Sequence, residues 1–289
     1  MEAEEGEAGS VPTQKLITEG HENFGLIFMM LMGIRTSVGK EVAERGAEPA
    51  RSLNADDFEH AWEGTFPAKG SKHTPPHGHH DFKFTDYAPR VFSEIRERFG
   101  VRTQDYLLSL TSEYVLVEMF TNSKSGSFFF YSSDYRFILK TCSQQEATFL
   151  MAALPQFHTH LMENRYTLLC RFYGLHQVGT TLGRKVHFVV MGNVFPVDRP
   201  IHERYDLKGS TRGRSSSEAE RGNQDVVLKD LDLIRTNRKL HLGADKKRRL
   251  LAQIKKDCAL LETLEVCTPP GAPLGLDLPW ISAGYDLPR

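Results

Sequence analysis

Residues 121–140 decide the fold that the sequence predicts: Thr121-Asn-Ser-Lys-Ser-Gly-Ser-Phe-Phe-Phe-Tyr-Ser-Ser-Asp-Tyr-Arg-Phe-Ile-Leu-Lys140. The aromatic run from 127 to 131 and the apolar run from 136 to 141 are both typical of β-strands. A short Ser/Asp turn joins them. The stretch therefore predicts a β-hairpin whose second strand reaches Lys140.

Further strands and helices surround this hairpin. Ser143-Gln-Gln-Glu146 is a capping box that opens a helix. A second long helix is predicted over about Ala244 to Val266, and one apolar stripe of it is expected to pack inward. That stripe consists of Leu251, Ile254, Cys258 and Leu261. An antiparallel sheet with flanking helices, an α+β fold, is the natural assembly of these elements. The predicted strands cover residues 114–120, 127–131, 136–141, 168–173 and 186–191.

Gly126 and Lys140 have the layout that covers and clamps nucleotide phosphates in kinases. One glycine falls short of a Gly-x-Gly-x-x-Gly loop, so an ordinary hairpin stays an open alternative. Glu146 also has two possible roles, since it could close the capping box or pair with Lys140. The apolar strand Val186 to Met191 then passes into a linker, whose backbone could meet an adenine edge.

A family resemblance enters with Arg204-Tyr-Asp-Leu-Lys-Gly-Ser-Thr211, which closely resembles the signature of the phosphatidylinositol phosphate kinases. Other blocks resemble that family in the same order, and the resemblance covers about residues 20–266. These blocks are Met32-Gly-Ile-Arg-Thr-Ser-Val38, Phe82-Lys-Phe-Thr-Asp-Tyr87, Arg98-Phe-Gly-Val-Arg-Thr-Gln-Asp-Tyr106 and Leu228-Lys-Asp-Leu-Asp232.

The resemblance implies a two-lobed lipid-kinase-like fold, with the antiparallel sheet in the small lobe and an incomplete large lobe. Its boundaries would be a disordered acidic segment (1–19), a kinase-like domain (20–266, with the small lobe about 23–191 and a partial large lobe 192–266), and a divergent Pro/Gly-rich tail (267–289). It also implies ATP and Mg²⁺ as cofactors. The implied nucleotide-binding residues are Lys140, Met191, Asn193, Phe195 and Lys208, to which the hairpin layout adds Gly126.

The chain departs from the family pattern after Val266. A Met-Asp-Tyr-Ser-Leu-Leu block would supply the catalytic aspartate there, but Cys267-Thr-Pro-Pro-Gly-Ala-Pro follows instead. No catalytic residue and no Mg²⁺ ligand is therefore assigned, because phosphoryl transfer needs carboxylates at such places. We expect a catalytically impaired scaffold that binds and localises the type I phosphatidylinositol phosphate kinases. The alternative is an active kinase that phosphorylates phosphatidylinositol 4-phosphate on its 5-hydroxyl.

Composition indicates a cytoplasmic protein, and peripheral attachment to membranes is expected only from local clusters of basic residues. Lys and Arg total 36 against 37 Asp and Glu, so bulk charge predicts neither a membrane nor a nucleic-acid partner. The four cysteines lack C-x-x-C spacing, which is typical of free thiols, and the acidic start is unlike a secretory signal. Basic clusters are candidates for an anionic phosphoinositide surface, with solvated helix ends as the alternative. They comprise Arg212, Arg214, Lys246, Lys247, Arg248 and Arg249.

Two further segments carry open alternatives. The apolar run Phe24 to Ile34 is too short to span a membrane and is either core or an interface, for a kinase partner or for a dimer. Residues 47–80 are predicted as a polar loop, broken by Gly and Pro. The histidines of that loop could be imagined as metal ligands, but no cysteine or further paired histidine completes a set, so no metal site is assigned. They are His73, His77, His79 and His80.

Overall fold

The structure, a computed structural model, describes residues 15–47, 51–72, 74–112, 116–118, 127–180, 183, 185–195, 201–223, 226–237 and 239–266. They form the predicted α+β fold, built on one large antiparallel sheet and flanking helices. Most of the acidic start, Gly126 and the Pro/Gly-rich tail lie outside the described residues.

The strands of the described part form two sheets. The larger is eight-stranded with the order β1-β4-β5-β6-β8-β7-β3-β2, and every neighbouring pair in it is antiparallel. The smaller pairs β9 and β10 in parallel. The strands are β1 (Lys15–Ile17), β2 (Ala61–Phe66), β3 (Phe82–Tyr87), β4 (Leu116–Glu118), β5 (Phe129–Ser132), β6 (Phe137–Cys142), β7 (Phe172–Thr180), β8 (Lys185–Gly192), β9 (Arg204–Asp206) and β10 (Val227–Lys229).

Helices cover the large sheet and follow the small one. Three of the described helices, α1, α5 and α8, have 20 or more residues and contribute to the core, and α3 packs against β7. The helices are α1 (Phe24–Ala47), α2 (Ala55–Glu59), α3 (Pro89–Arg98), α4 (Thr103–Thr111), α5 (Gln144–Glu163), α6 (Glu218–Arg221), α7 (Asp230–Thr236) and α8 (Gly243–Thr263).

The central hairpin is confirmed, while other strand predictions need correction. β5, β6 and β8 lie where the sequence predicted strands. The strand predicted over 168–173 begins only at Phe172 and runs on to Thr180, because β7 pairs with both β3 and β8 along that length. The polar loop predicted over 47–80 is wrong in part, since it contains α2 and β2, and β2 pairs with β3 at the sheet edge.

The apolar run of α1 belongs to the core of the chain. Ile27, Met30, Leu31 and Ile34 are fully buried, which favours the core alternative over an interface at these residues. Gly33 lies directly against the ring of Phe84 in β3, so α1 packs closely on the sheet.

The long helix predicted over 244–266 is confirmed by α8, but the apolar stripe assigned to it is only partly buried. Leu261 is buried, whereas Leu251 is 47% exposed and Cys258 is also exposed. The stripe prediction counted apolar residues alone and missed a buried acid, Asp257, one turn before Leu261.

Asp257 fastens α8 to the end of α5. Its carboxylate accepts hydrogen bonds from the Thr167 hydroxyl at 2.7 Å and from the Leu168 amide at 2.8 Å. His160 of α5 places Nε2 at 2.6 Å from the same carboxylate. A buried carboxylate needs such partners to offset the loss of water, so this cluster fixes where α8 can sit.

The division of the chain into two lobes stays a prediction. The large sheet ends at Gly192 and the small sheet begins at Arg204, which is compatible with a lobe boundary near 191.

Close packing of α1 gives a stability prediction. A Cβ at Gly33 would lie 1.9 Å from Cδ2 of Phe84, so we expect Gly33→Ala to lower the free energy of unfolding by about 1–3 kcal/mol. Gly39→Ala in the same helix is the matched control, since its Cβ would meet no described atom within 4 Å. Better helix propensity should raise its stability by up to about 1 kcal/mol. Urea denaturation measures both, and equal stability of the two variants would contradict the packing of α1 on β3.

Candidate functional site

Lys140 lies at the centre of the large sheet. In β6 it pairs with Phe129 of β5 and with Val189 of β8, and paired residues project on the same face of a sheet. Its side chain is fully buried, and its ammonium lies 5.4 Å from the centroid of the Phe129 ring. A buried ammonium is costly unless it is compensated, so its surroundings must supply negative charge or polar contacts.

Glu146 supplies that charge, and it closes the capping box as well. One carboxylate oxygen, Oε2, accepts a hydrogen bond from the Ser143 amide at 2.6 Å, while the Ser143 hydroxyl accepts one from the Glu146 amide at 3.2 Å. The other oxygen, Oε1, lies 3.7 Å from the Lys140 ammonium. The two roles predicted as alternatives are therefore filled at once, because the cap holds the carboxylate where the lysine ends.

The face around Lys140 is apolar and partly open. Phe129, Tyr131 and Ile138 are half-buried on this face, and Met191, which pairs with Ile138, is almost completely buried. Burial raises the pKa of the Tyr131 phenol, so it stays neutral at physiological pH. An apolar surface with one cation at its base suits a flat ring bearing an anionic substituent.

The hinge after β8 is tied into the sheet. The Asn193 amide donates to the Arg136 carbonyl at 2.9 Å, and its side-chain Nδ2 donates to the Tyr135 carbonyl at 2.8 Å. Its Oδ1 accepts from the Phe195 amide at 3.1 Å. Asn193 thus binds the hinge to the β5–β6 turn, a role that the resemblance did not imply.

Phe195 connects the hinge to the signature segment. Its ring is 37% exposed and lies 5.8 Å from the guanidinium of Arg204, the first residue of β9. The charge of Arg204 also acts on the Tyr131 phenol of β5. Arg204 therefore places the start of the signature beside the face that carries Lys140.

The signature loop is the segment between β9 and α6, and it carries Lys208. Asp230 shapes this loop around Lys208. Its Oδ1 accepts from the backbone amides of Lys208 at 3.0 Å and Gly209 at 2.9 Å, and Gly209 has a positive φ of 68°. Its Oδ2 accepts from Nε of Arg214 at 2.9 Å. The Arg214 guanidinium, helped by these amides, lowers the pKa of Asp230 to about 2.

Asp232 in the same way holds the end of the signature loop at Ser216. It accepts from the amides of Ser216 at 2.9 Å and Lys229 at 3.0 Å, and from the Ser216 hydroxyl at 2.8 Å. Arg221 and Arg235 lie 3.3 Å and 3.5 Å from its Oδ1. The Ser216 amide and its hydroxyl hold the pKa of Asp232 well below its usual range.

Sequence reasoning quoted these two aspartates only as part of a family block. The signal that could have found them is their place in the first turn of α7, where free backbone amides and the helix dipole favour acids. Their partners in the signature loop lie 16 to 22 residues away in the chain, so no local pattern reveals them.

The predicted binding residues fall into two groups. Lys140 and Met191 share one face of the large sheet, with Asn193 and Phe195 directly after it. Lys208 lies in the loop after β9, its side chain is 63% exposed, and its Nζ is 3.7 Å from Asp206 Oδ2. Gly126 lies outside the described residues.

The basic residues predicted for membrane binding also differ from one another. Arg212 is exposed, but Arg214 has a side chain only 14% exposed and is held by Asp206 and Asp230, so it acts inside the loop. The four bases at the start of α8, Lys246 to Arg249, are all exposed. Of these, Arg248 pairs with Asp245 at 2.5 Å.

The histidines of the 67–81 segment pack on aromatic rings. His77 and His79 lie 5.7 Å and 4.6 Å, centroid to centroid, from the Phe28 ring of α1. Burial lowers the pKa of His79, so its ring stays neutral near pH 7. His73 is outside the described residues, and within the described ones no group of three or more His, Cys, Asp or Glu side chains is placed to hold a metal ion.

No helix of the described ranges is long and apolar enough to cross a membrane.

Comparison with known proteins places this geometry in a family. The model of the family described as phosphatidylinositol-4-phosphate 5-kinase matches residues 110–268. Phosphatidylinositol 4-phosphate 5-kinase its3 of Schizosaccharomyces pombe is 43% identical over 251 residues, which are 86% of this chain and 33% of the relative. Phosphatidylinositol 4-phosphate 5-kinase 1 of Arabidopsis thaliana is 40% identical over 250 residues, 85% of this chain and 32% of the relative.

A probable phosphatidylinositol phosphate kinase of Dictyostelium discoideum is 38% identical over 271 residues, which are 87% of this chain and 38% of the relative. The chain thus spans about a third of the length of these relatives. The family model matches more than half of the chain, and its match contains Lys140, Glu146 and the whole signature loop. The chain belongs to the phosphatidylinositol-4-phosphate 5-kinase family.

Proposed function

We propose that this chain forms the ATP-binding part of a lipid kinase that phosphorylates phosphatidylinositol 4-phosphate on its 5-hydroxyl. The observation that carries the proposal is the buried Lys140–Glu146 pair, at 3.7 Å, beneath a partly open apolar face. The names of the relatives, kinases of this lipid, support the choice of substrate.

The residues on this face fit ATP. Phe129, Tyr131 and Ile138 offer apolar surface to a purine, and Lys140 offers a compact cation to phosphate oxygens. ATP, when bound, supplies the phosphoryl group that is transferred. The protein's part is positioning and charge neutralisation, and Glu146 keeps the Lys140 ammonium fixed for both tasks.

Lys208 is suited to bind an anion that approaches from solvent. Its exposed ammonium lies near the Asp206 carboxylate, while its backbone amide donates to Asp230. The backbone is thus rigid and the charge is free to turn toward phosphate at the lipid or nucleotide end of the site. Lysine acts as a point charge that needs no fixed geometry, which suits this position.

The described residues do not fit a magnesium ion. Asp230 and Asp232, the acids that start α7, already accept hydrogen bonds from backbone amides, and both contact arginines. A Mg²⁺ ion needs carboxylate oxygens that are open to it. No step of the proposed function is therefore assigned to a metal.

The scaffold hypothesis remains a prediction. Nothing on the described residues shows scaffolding, and the apolar run Phe24 to Ile34, a candidate partner surface, lies in or against the core. The relatives are named as kinases, which favours the active-kinase hypothesis.

Replacing Lys140 tests the proposal directly. We expect Lys140→Met to weaken ATP binding by at least about tenfold, because the phosphates lose their buried cation. Lys83→Met, an exposed lysine of β3, is the control and should bind as the parent does. Calorimetry measures binding, and labelled ATP with vesicles of phosphatidylinositol 4-phosphate measures transfer. If the parent chain binds ATP but transfers no phosphate to the lipid, the scaffold hypothesis is favoured. If the parent chain neither binds ATP nor transfers phosphate, the proposal is overturned.

The double role of Glu146 gives a second prediction. Glu146→Gln keeps an acceptor for the Ser143 amide but leaves the buried Lys140 ammonium without its compensating charge, so we expect ATP binding to weaken by roughly tenfold and the melting temperature to fall. Ser143→Ala removes the cap hydroxyl and should cost about 1 kcal/mol of stability, with a smaller effect on ATP binding. Calorimetry and thermal melting separate the two roles. Parallel losses in both variants would show that Glu146 acts only through the cap.

The exposed bases of α8 predict attraction to anionic membranes. Each base near an anionic leaflet contributes about 1 kcal/mol, so reversing the charge of Lys246, Lys247, Arg248 and Arg249 to Glu should abolish co-sedimentation with anionic vesicles. Binding of the parent should fall with added salt, since the screening length is about 8 Å at physiological ionic strength. A matched reversal of Lys69, Lys72, Lys83 and Lys185, four exposed bases elsewhere, should leave binding nearly intact. Equal losses in both variants would mean that only net charge matters.

A further inference from the structure

Two arginine side chains meet at the hydroxyl of Ser215. Nη2 of Arg221 donates to Ser215 Oγ at 3.1 Å, and Nη2 of Arg235 approaches the same oxygen at 3.5 Å. The arginines come from different elements, α6 and the last turn of α7. A neutral hydroxyl accepts little from two guanidinium groups, which are better matched to a phosphate.

The chain around Ser215 is suited to a modifying enzyme. Residues 206–213 are exposed, and Ser215 itself is half-exposed. Arg212 stands three residues before it and Arg214 one residue before it. Protein kinases select substrates by the pattern of charges beside the acceptor hydroxyl, and this pattern suits an arginine-directed serine kinase.

We propose that Ser215 is a phosphorylation site whose phosphate is held by Arg221 and Arg235. In the reaction an arginine-directed protein kinase transfers the γ-phosphoryl group of ATP to Ser215 Oγ. The new O–P bond replaces the bond between the γ-phosphorus and its bridging oxygen, ADP leaves, and the hydroxyl proton passes to the kinase's base. This proposal does not depend on the lipid kinase activity.

The neighbouring serines do not fit this role. The Ser216 hydroxyl is buried and already donates to Asp232 at 2.8 Å, so a modifying enzyme cannot reach it. Ser217 is exposed, but Glu218 and Glu220 follow it and its hydroxyl accepts from the Glu220 amide. Like charges nearby disfavour a phosphate.

Asp232 is the charge that a phosphate at Ser215 must compete with. The Ser215 hydroxyl lies 3.3 Å from Asp232 Oδ1, and both arginines also contact that oxygen. Asp232 keeps the amides of Ser216 and Lys229 when the arginines turn away, so it is not left without donors. A phosphate carries about −1.5 to −2 charge near neutral pH and attracts the two guanidinium groups more strongly than one carboxylate does.

Genetically encoded phosphoserine tests whether Arg221 and Arg235 hold the phosphate, and it requires no protein kinase. With phosphoserine at position 215 of the full chain, ³¹P NMR titration should give a second phosphate pKa below that of a phosphopeptide spanning 209–222, which is expected near about 6. Arg221→Gln together with Arg235→Gln should return it to the peptide value. Phosphoserine at position 217 is the matched control and should show no such lowering. Equal values for position 215 and the peptide would overturn the proposal.

Accessibility is tested with a purified arginine-directed serine kinase. Peptide mass spectrometry should place the phosphate of the treated full chain on residue 215, and Ser215→Ala should abolish that phosphate. Arg212→Gln should slow its incorporation, because it removes the base three residues before the acceptor. Phosphorylation of the isolated 209–222 peptide but not of the folded chain, or transfer to Ser216 or Ser217 instead, would overturn the proposal.

Discussion

The buried ammonium of Lys140 is the constraint on which the large sheet and its helices depend. An uncompensated charge in the interior costs several kcal/mol, so Glu146 must stand within reach of it. Glu146 is held there by the Ser143 cap, at the first turn of α5. The far end of α5 is fixed in turn by His160 and Asp257 of α8. A single chain of contacts therefore runs from Lys140 on the large sheet to α8, the helix that follows the signature loop.

The charges of the signature loop are reversed relative to the Lys140 site: acids lie at its centre, and backbone amide donors surround them. Asp230 and Asp232 accept from amides of residues on both sides of the loop, and the arginines balance their charge. A loop held by its own backbone can leave a side chain such as Lys208 free to meet a ligand. Arg214 is largely buried because it pairs with Asp230, whereas Arg212, two residues earlier, is exposed.

Local patterns predicted what is determined locally. The β5–β6 hairpin follows from alternation and turn residues, and the α5 cap follows from a four-residue spacing, so both were found from the sequence. β2 was missed because an edge strand of six residues acquires its structure from β3, across a turn rich in Gly and Pro. The stripe of α8 was misassigned because its main anchor, Asp257, is polar, and hydrophobic periodicity gives such a residue no weight.

The sequence named the candidate cations of the site but not the contacts that support them. Lys140 was named as the residue that ends a predicted strand and Lys208 through the family resemblance, whereas the contacts of Asn193 and Arg204 arise only across the fold. Arg204 lies against Phe195 and acts on Tyr131, so the signature segment begins at the rim of the apolar face. The exposed Lys208 follows only a few residues later. The contact between Arg204 and Phe195 therefore ties the segment that carries the exposed Lys208 to the end of β8, the strand that pairs with β6 and its buried Lys140.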